Sequence, residues 1–160
     1  GCFNDMDMLV VVMHGKGNVG VGGCTEVEYR THFTIWAFFN SPLMIGCDIR
    51  NMSEETKSIL MDKDIIAVNQ DPAGRQPYQA IAHPDYPVWA KHMDNGDIVL
   101  AYFNQFVTWA DIGIERSSGV KLELTDLWSK QNLGIFDTGI EFGAVEPHGC
   151  RILRCRVVRG

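Results

Sequence analysis

The sequence of 160 residues predicts two kinds of structure in one chain: an α/β part over residues 1–74 and an all-β antiparallel sandwich over residues 75–160. The first half alternates apolar runs with helical patterns. The second half consists of short alternating runs that are separated by turns. A segment rich in structure breakers, NQDPAG at residues 69–74, marks the boundary between the two parts.

The composition is that of a globular protein that can bury a core, because 46% of the residues are hydrophobic and 21% are charged. The net charge is -6 and no basic patch is present, so neither nucleic acid nor an anionic membrane surface is expected as a partner. No apolar run approaches the roughly 18–20 residues of a membrane-spanning helix. The cysteines show no CxxC spacing, which makes zinc improbable and implies no disulfide framework.

The chain begins at Gly1, without Met and inside a strand-like run, which favours an excerpt of a longer protein. It carries no basic region before an apolar stretch, so no signal peptide is expected within it. Cytoplasmic and secreted locations therefore both stay open.

Two apolar runs in the first half, residues 9–13 and 43–47, show no alternation, which is typical of strands that are buried on both faces of a parallel sheet. A helix between them is predicted to begin at Thr25, which can form a capping box with Glu28. The helix is predicted to end before Pro42, because proline lacks a backbone donor and restricts the residue before it. The order of strands and helices predicts a parallel sheet with covered faces.

The first helix carries a broad apolar and aromatic stripe, which predicts that one of its faces packs in a core. His32 lies beside this stripe. Its simplest interpretation is an interior histidine with satisfied hydrogen bonds rather than a metal ligand, because no second ligand has useful spacing. A further helix is predicted to begin after Ser53. The stripe consists of Tyr29, Phe33, Trp36 and Phe39.

The second half predicts about seven short strands, as in an antiparallel sandwich. Asp94-Asn95-Gly96-Asp97 separates two alternating runs and is a strong signal for a β-hairpin. Trp89, Trp109 and Trp128 could stack on sugar rings, but packing in a core or an interface is the favoured interpretation. The predicted strands are residues 88–93, 98–103, 108–114, 121–127, 133–136, 140–145 and 151–158.

A glycine pattern offers an alternative function. Gly15, Gly17 and Gly20 follow an apolar strand, and Asp48 closes the next strand, as in a dinucleotide-binding βαβ unit of an oxidoreductase. The helix begins only at Thr25, however, so no helix N-terminus is expected where the pyrophosphate would lie. Asp48 also lies further beyond the glycines than the roughly 20 residues expected for the acid that binds the ribose. This alternative is the weaker one.

The first stretch of the chain places polar side chains among apolar ones. Asp5 and Asp7 are two residues apart, so an extended backbone would turn both to one face and Met6 and Met8 to the other. Glycoside hydrolysis uses two carboxyl groups, about 5–5.5 Å apart when configuration is retained. Two acids on one strand cannot easily reach opposite sides of a sugar ring, so a ligand contact by one of them is favoured over a catalytic pair. A strand end with solvated acids is the alternative.

Several segments together carry a family resemblance. FNDMDML at residues 3–9 resembles the WNDPDML segment of glycoside hydrolase family 27, the α-galactosidases and α-N-acetylgalactosaminidases. Phe3 replaces the family's Trp and Met6 its Pro, and both changes keep bulk and apolarity. The resemblance continues through residues 28–33, 36–37, 41–43, 45–50, 66–72, 126–129 and 147–149, and so covers essentially the whole chain.

The resemblance implies a fold and a function. Residues 1–74 would be the C-terminal end of a (β/α)8 TIM barrel, about two βα units, and residues 75–160 a C-terminal antiparallel β-sandwich domain. The intact protein would be a retaining glycosidase that removes terminal α-linked galactose by double displacement, without metal or cofactor. Asp7 and Met8 match positions that line the family's galactose pocket, so they are the predicted substrate-binding residues. Asp5 would be a supporting acid beside them.

The resemblance places the catalytic residues upstream of this chain. The family's nucleophile is an Asp in a Lys-x-Asp motif and its acid/base is an Asp in an Arg-x-x-x-Asp motif, and neither motif occurs here. The loop that distinguishes galactose from N-acetylgalactosamine is also upstream. The isolated chain is therefore expected to be inactive, and its barrel part to associate with itself or with a complementing N-terminal chain. A non-catalytic carbohydrate-binding or structural sandwich module is a further alternative.

Overall fold

A computed structural model describes residues 2–11, 13–14, 22–115 and 119–158 of the chain. Two compact units are present, Gly1–Gln70 and Asp71–Gly160. No helix among the described residues is both long enough and apolar enough to cross a membrane.

The described residues of the first unit form three α-helices and one short 3-10 helix. The predicted capping box is confirmed: Glu28 N donates to Thr25 Oγ1 at 3.3 Å, and the Glu28 carboxylate accepts from Thr25 N at 2.7 Å. The helix ends before Pro42, as predicted, and Asn40 adopts a left-handed conformation with φ of 55° just after it. The elements are α1 (Glu26–Phe38), a 3-10 helix (Ile49–Asn51), α2 (Glu54–Leu60) and α3 (Lys63–Asn69).

Side-chain caps determine where α2 and α3 begin. Thr56 N donates to Ser53 Oγ at 3.2 Å at the start of α2, as the sequence predicts. Asp62 Oδ1 accepts from Asp64 N and Ile65 N, so a separate helix begins there rather than a continuation of α2. Both helices pack against α1. The buried apolar residues of the three helices are Tyr29, Phe33, Ala37, Phe38, Ile59, Leu60, Ile65 and Val68.

The two apolar runs of this unit meet in one parallel bridge, between Leu9 and Ile45. Leu9 N donates to Met44 O at 2.7 Å, and Gly46 N donates to Leu9 O at 3.0 Å. The predicted parallel direction is therefore confirmed. Leu9 is 1% exposed, as expected for a residue between covered faces.

The predicted extent of these strands is wrong. Val11 lies in a turn, with Met13 N donating to Val10 O at 3.1 Å, so the described residues of the run 9–13 do not form a continuous strand. Residues 43–47 contribute no more than the bridge at Ile45. Parallel pairs are less stable per residue than antiparallel ones and normally lie inside larger sheets. Among the described residues this pair has no further strand beside it, which accounts for its shortness.

Among its described residues, the second unit contains eight antiparallel strands in two sheets. The strands are β1 (Tyr78–Ile81), β2 (Val88–His92), β3 (Ile98–Phe103), β4 (Ala110–Glu115), β5 (Lys121–Asp126), β6 (Asn132–Phe136), β7 (Gly139–Val145) and β8 (Cys150–Val158). One sheet has the order β1-β2-β3-β8-β5-β6 and the other pairs β4 with β7. All seven predicted strands are confirmed, with end shifts of one or two residues. An additional strand, β1, escaped prediction because it is mostly exposed and shows no buried alternation.

The predicted hairpin joins β2 to β3. Met93 N donates to Asp97 O at 2.9 Å, and Gly96 N donates to Met93 O at 3.2 Å. Gly96 has φ of 88°, a conformation that glycine adopts at low cost, which is why this turn sequence predicts a hairpin well.

The core of this unit lies between the two sheets, as in a sandwich. Trp89 and Trp128 are half-buried, whereas Trp109 is 65% exposed and does not pack in the core. The six-stranded sheet contributes Val88, Ala90, Leu100, Tyr102, Leu122, Leu124, Leu153 and Cys155, and the two-stranded sheet contributes Ile112, Ile140, Phe142 and Val145.

Asn104 fixes the connection that follows β3. Its side chain is buried, and Nδ2 faces the carbonyl oxygens of Thr108, Val145 and Glu146 at 2.8, 3.1 and 3.0 Å. Its Oδ1 accepts from Phe106 N at 3.0 Å. One amide thus ties the end of the β3–β4 connection to the end of β7.

We expect Asn104→Ala to lower the free energy of unfolding of the second unit by about 2 kcal/mol, because buried backbone groups lose their partners. Urea unfolding followed by tryptophan fluorescence measures the change. Gln105→Ala removes the neighbouring, exposed amide and should stay within about 0.5 kcal/mol of the wild type. Equal effects of the two substitutions would contradict the role of Asn104.

Candidate functional site

The predicted site residues lie in a segment, Met6–Val10, whose backbone departs from an extended strand. Asp7 has φ of 70°, in the left-handed region that non-glycine residues seldom adopt. Asp7 N donates to Asp5 Oδ1 at 3.1 Å, and Met8 N donates to Asp7 Oδ1 at 2.7 Å. The expectation that Asp5 and Asp7 share one face of an extended strand is therefore wrong, because the backbone turns at Asp7.

Side chains of α1 and the residues after it hold the same segment. Trp36 Nε1 donates to Asp7 O at 2.8 Å, and Val10 N donates to His32 Nε2 at 3.1 Å. Met6 N donates to Ser41 Oγ at 3.0 Å. Together with the Leu9 bridge, these contacts give each backbone N–H from Met6 to Val10 a partner.

Asp7 and Met8 are both exposed. Asp7 Oδ1 accepts a hydrogen bond from Met8 N, whereas Oδ2 accepts none from the part of the chain that the structure describes. Met8 lies against Gly46: a Cβ atom at that glycine would be 3.1 Å from Met8 Cβ and 3.0 Å from Leu9 O. The absence of a side chain at Gly46 therefore lets the two segments approach closely.

His32 is a half-buried, neutral histidine. Desolvation by burial lowers its pKa from 6.5 to about 4, so the imidazole is uncharged near pH 7. Because Nε2 accepts from Val10 N, the ring proton belongs on Nδ1. The ring lies on Trp36, with centroids 3.8 Å apart and a tilt of 44°. These contacts agree with the interpretation of His32 as a satisfied interior side chain.

Sequence reasoning missed the role of the α1 side chains in holding the site. It assigned Trp36 to a packing stripe and did not predict a hydrogen bond to Asp7. The available signal was the spacing of His32 and Trp36, four residues apart on one helix face. Tyr29 occupies the preceding turn and holds another loop, because its Oη accepts from His14 N at 2.8 Å and from Cys24 N at 3.3 Å.

A cleft of about 310 Å³ lies on the carboxyl side of the Leu9–Ile45 bridge. Neither Asp7 nor Met8 lines it. Asp48 does, and its carboxylate pairs with Arg50 Nε at 2.9 Å and Nη2 at 2.7 Å. Hydrogen bonds from the Arg50 side chain and backbone hold the pKa of Asp48 below its usual value. Further lining residues are Met13, His14, Cys47, Asn51 and Met52.

Of the residues that suggested dinucleotide binding, only Asp48 lies among the described residues. Gly15, Gly17 and Gly20 lie outside the described residues. Asp48 N-caps the 3-10 helix and is engaged by Arg50. The part of the chain that the structure describes contains no group of three His, Cys, Asp or Glu side chains that could hold a metal ion.

Comparison with known proteins matches both units. A family model described as Alpha galactosidase A matches residues 1–71, and one described as Alpha galactosidase C-terminal beta sandwich domain matches residues 83–155. An α-galactosidase of Oryza sativa subsp. japonica is 36% identical over an alignment of 159 residues, which covers 95% of this chain and 35% of that protein. The chain belongs to glycoside hydrolase family 27. It corresponds to the C-terminal portion of the family's members.

Solved structures of family 27 support the same fold. Alpha-galactosidase I from Mortierella vinacea is 33% identical, with a TM-score of 0.82 over 96% of this chain and 39% of that chain. A family 27 β-L-arabinopyranosidase from Geobacillus stearothermophilus is 26% identical, with a TM-score of 0.82 over 99% of this chain and 38% of that chain. The expected fold class, a barrel end followed by an antiparallel sandwich, is confirmed. The dinucleotide-binding alternative finds no support among these relatives.

The family 27 chain spans 35–40% of the length of the first relatives that it matches. Within that span, the barrel part and the sandwich follow each other in the order of the two family models. The family relationship therefore covers both units.

The environment of His32 predicts a pH dependence of stability. Its folded-state pKa of about 4 lies below the ordinary 6.5, so the unfolded state binds the proton more tightly. The stabilisation is present above about pH 6.5 and is lost as the pH falls through about 4. We expect NMR titration of the His32 ring to give a pKa below 5. His32→Gln should remove this contribution to the acid-side loss of stability, and an unchanged loss would contradict the assignment.

Proposed function

We propose that the intact protein to which this chain contributes is a retaining α-galactosidase-type glycoside hydrolase that cleaves terminal α-linked galactose. The observation that carries the proposal is the match of two α-galactosidase family models, in order, over nearly the whole chain. Named α-galactosidases among the relatives support the same substrate class.

Asp7 and Met8 are proposed to contact the sugar. The Asp7 carboxylate is held by the hydrogen bond from Met8 N to Oδ1. Its Oδ2 accepts from no donor among the described residues, so this oxygen can accept a hydrogen bond from a sugar hydroxyl. Met8 offers an exposed thioether chain that can pack against the apolar C–H surface of a pyranose. Asp5 supports the arrangement by accepting from Asp7 N.

The proposed reaction needs two further carboxyl groups. A retaining glycosidase uses one as nucleophile, to form a covalent glycosyl intermediate, and one as acid and then base. The motifs that would carry them do not occur in this chain, so the proposal assigns both roles to the longer protein. Carboxyl groups and water supply this chemistry, and the proposal includes no metal or cofactor.

A second candidate substrate is a β-L-arabinopyranoside, because a family 27 relative with that activity in its name has the same fold over this region. β-L-Arabinopyranose presents the ring hydroxyls of α-D-galactose and lacks only the hydroxymethyl group. A contact from Asp7 to a ring hydroxyl would serve both sugars. Discrimination between the two sugars, or against N-acetylgalactosamine, is assigned to other parts of the protein.

We expect the intact protein to hydrolyse p-nitrophenyl α-galactoside with retention, and Asp7→Asn to lower kcat/KM by about 10- to 100-fold, because a charge-assisted hydrogen bond to the sugar is lost. Asp111→Asn makes the same chemical change at an exposed position of the sandwich and should leave kcat/KM within about twofold. An intact protein that turns over neither this substrate nor the β-arabinopyranoside would overturn the function. Equal values for the Asp7 and Asp111 variants would overturn only the site.

The 160-residue chain alone is expected to give no turnover of the same substrate. Large apolar side chains are exposed in its barrel part, which favours self-association or binding to a complementing N-terminal chain. Analytical ultracentrifugation and dye binding measure this surface. A compact monomer that binds no dye, or turnover above background, would contradict the expectation. The exposed side chains are Phe3, Met8, Val10, Met44, Ile45, Ile49 and Met61.

A further inference from the structure

We propose that His32 and Trp36 are positioning residues for sugar binding: from one face of α1 they fix the backbone between Asp7 and Val10, and so aim the Asp7 carboxylate at the sugar. The inference rests on the proposed function, because it assumes that Asp7 contacts the substrate. Neither side chain is proposed to touch the sugar itself.

The two side chains hold opposite ends of a short piece of backbone with complementary chemistry. The Trp36 indole is a donor and binds the carbonyl oxygen of Asp7 at 2.8 Å. The His32 imidazole is an acceptor at Nε2 and binds the amide of Val10 at 3.1 Å. Because the two residues are one helical turn apart and their rings are in contact, they act as one rigid surface beneath the segment.

The segment needs this support because its backbone conformation is unfavourable on its own. Asp7 has φ of 70°, a conformation that an L-residue other than glycine keeps only when its surroundings determine it. Regular pairing contributes one bridge, at Leu9. The other partners of the backbone from Met6 to Val10 are mainly side chains, and two of these belong to His32 and Trp36.

The hydrogen bond of Asp7 Oδ1 shows how a backbone shift would change the contact between Asp7 and the substrate. This atom accepts from Met8 N, the next amide along the chain, so the carboxylate orientation follows the local backbone. If the Asp7 carbonyl or the Val10 amide lost its anchor, the carboxylate would sample other directions. The expected consequence is weaker sugar binding in both the ground state and the transition state, which raises KM more than it lowers kcat.

Substitutions in the intact protein separate this role from general packing. His32→Leu removes the acceptor, and His32→Gln offers an amide oxygen in its place. Trp36→Phe keeps a ring and removes the donor. Tyr29→Phe is the matched control. It also removes hydrogen bonds between an α1 side chain and the backbone, but the Tyr29 side chain anchors His14 and Cys24 and not the Met6–Val10 segment.

We expect His32→Leu and Trp36→Phe to raise KM for p-nitrophenyl α-galactoside by about tenfold, the effect of losing one hydrogen bond, with kcat within about threefold. His32→Gln should restore KM to within about threefold of the wild type, and Tyr29→Phe should leave it unchanged. In an Asp7→Asn background, His32→Leu should add less than about twofold, because the two residues act through one contact. If His32→Leu acted through general destabilisation, its full effect on KM would instead be added to that of Asp7→Asn.

Hydrogen exchange of the backbone gives a second readout that needs no activity. We expect amides of the Met6–Val10 segment to exchange about tenfold faster in His32→Leu than in the wild type or in Tyr29→Phe. Unchanged exchange in the segment, or KM values equal to those of Tyr29→Phe, would overturn the positioning role. An inactive wild-type protein would overturn the proposed function, and the exchange result would still decide whether His32 and Trp36 hold the backbone.

Discussion

Hydrogen bonding of the backbone from Met6 to Val10 is the constraint on which the barrel part depends. Each of the five backbone amides has a hydrogen-bond partner by its own route, including the amides of the exposed residues Asp7, Met8 and Val10. Two routes are local carboxylates, one is the single parallel bridge, and two are side chains from α1 and the turn after it. His32 and Trp36 of α1, together with Ser41 beyond the end of the helix, thus supply part of what a neighbouring strand would supply.

The sandwich obeys a different constraint, and this explains why its sequence predicts it so well. Consecutive antiparallel strands such as β2 and β3 are joined by a short turn, so their pairing and register are encoded locally, as at Asn95-Gly96. The capping box of Thr25 and Glu28 is equally local and equally predictable. The strand expected at residues 9–13 failed for the converse reason, because the stability of a parallel strand depends on partners distant in sequence. β1 was missed because exposure removes the apolar alternation that marks a strand.

Single side chains at the site show the same limit: local features are predictable from the sequence, whereas contacts between distant residues are not. The family resemblance pointed to Asp7 and Met8, and helical periodicity placed His32 and Trp36 on one face. Nothing in that periodicity indicates which backbone atoms those side chains bind, because the partners lie 22 and 29 residues away. The left-handed Asp7 was likewise hidden, since its residue type favours that conformation only modestly. An assumption of extended backbone therefore gave the wrong relation between Asp5 and Asp7.

A residue outside a regular strand can point its side chain in directions that the hydrogen-bond pattern of a β-sheet does not allow. In a regular strand, Asp7 would alternate with its neighbours, and its direction would be set by the sheet. The left-handed turn instead lets its Oδ1 bind the next amide while Oδ2 stays outside the local hydrogen bonds. The turn brings Met8 against Gly46, where a Cβ atom would crowd both Met8 and the carbonyl of Leu9. The glycine, the turned aspartate and the two α1 side chains are therefore parts of one arrangement, and a change in any of them must alter how Asp7 is presented.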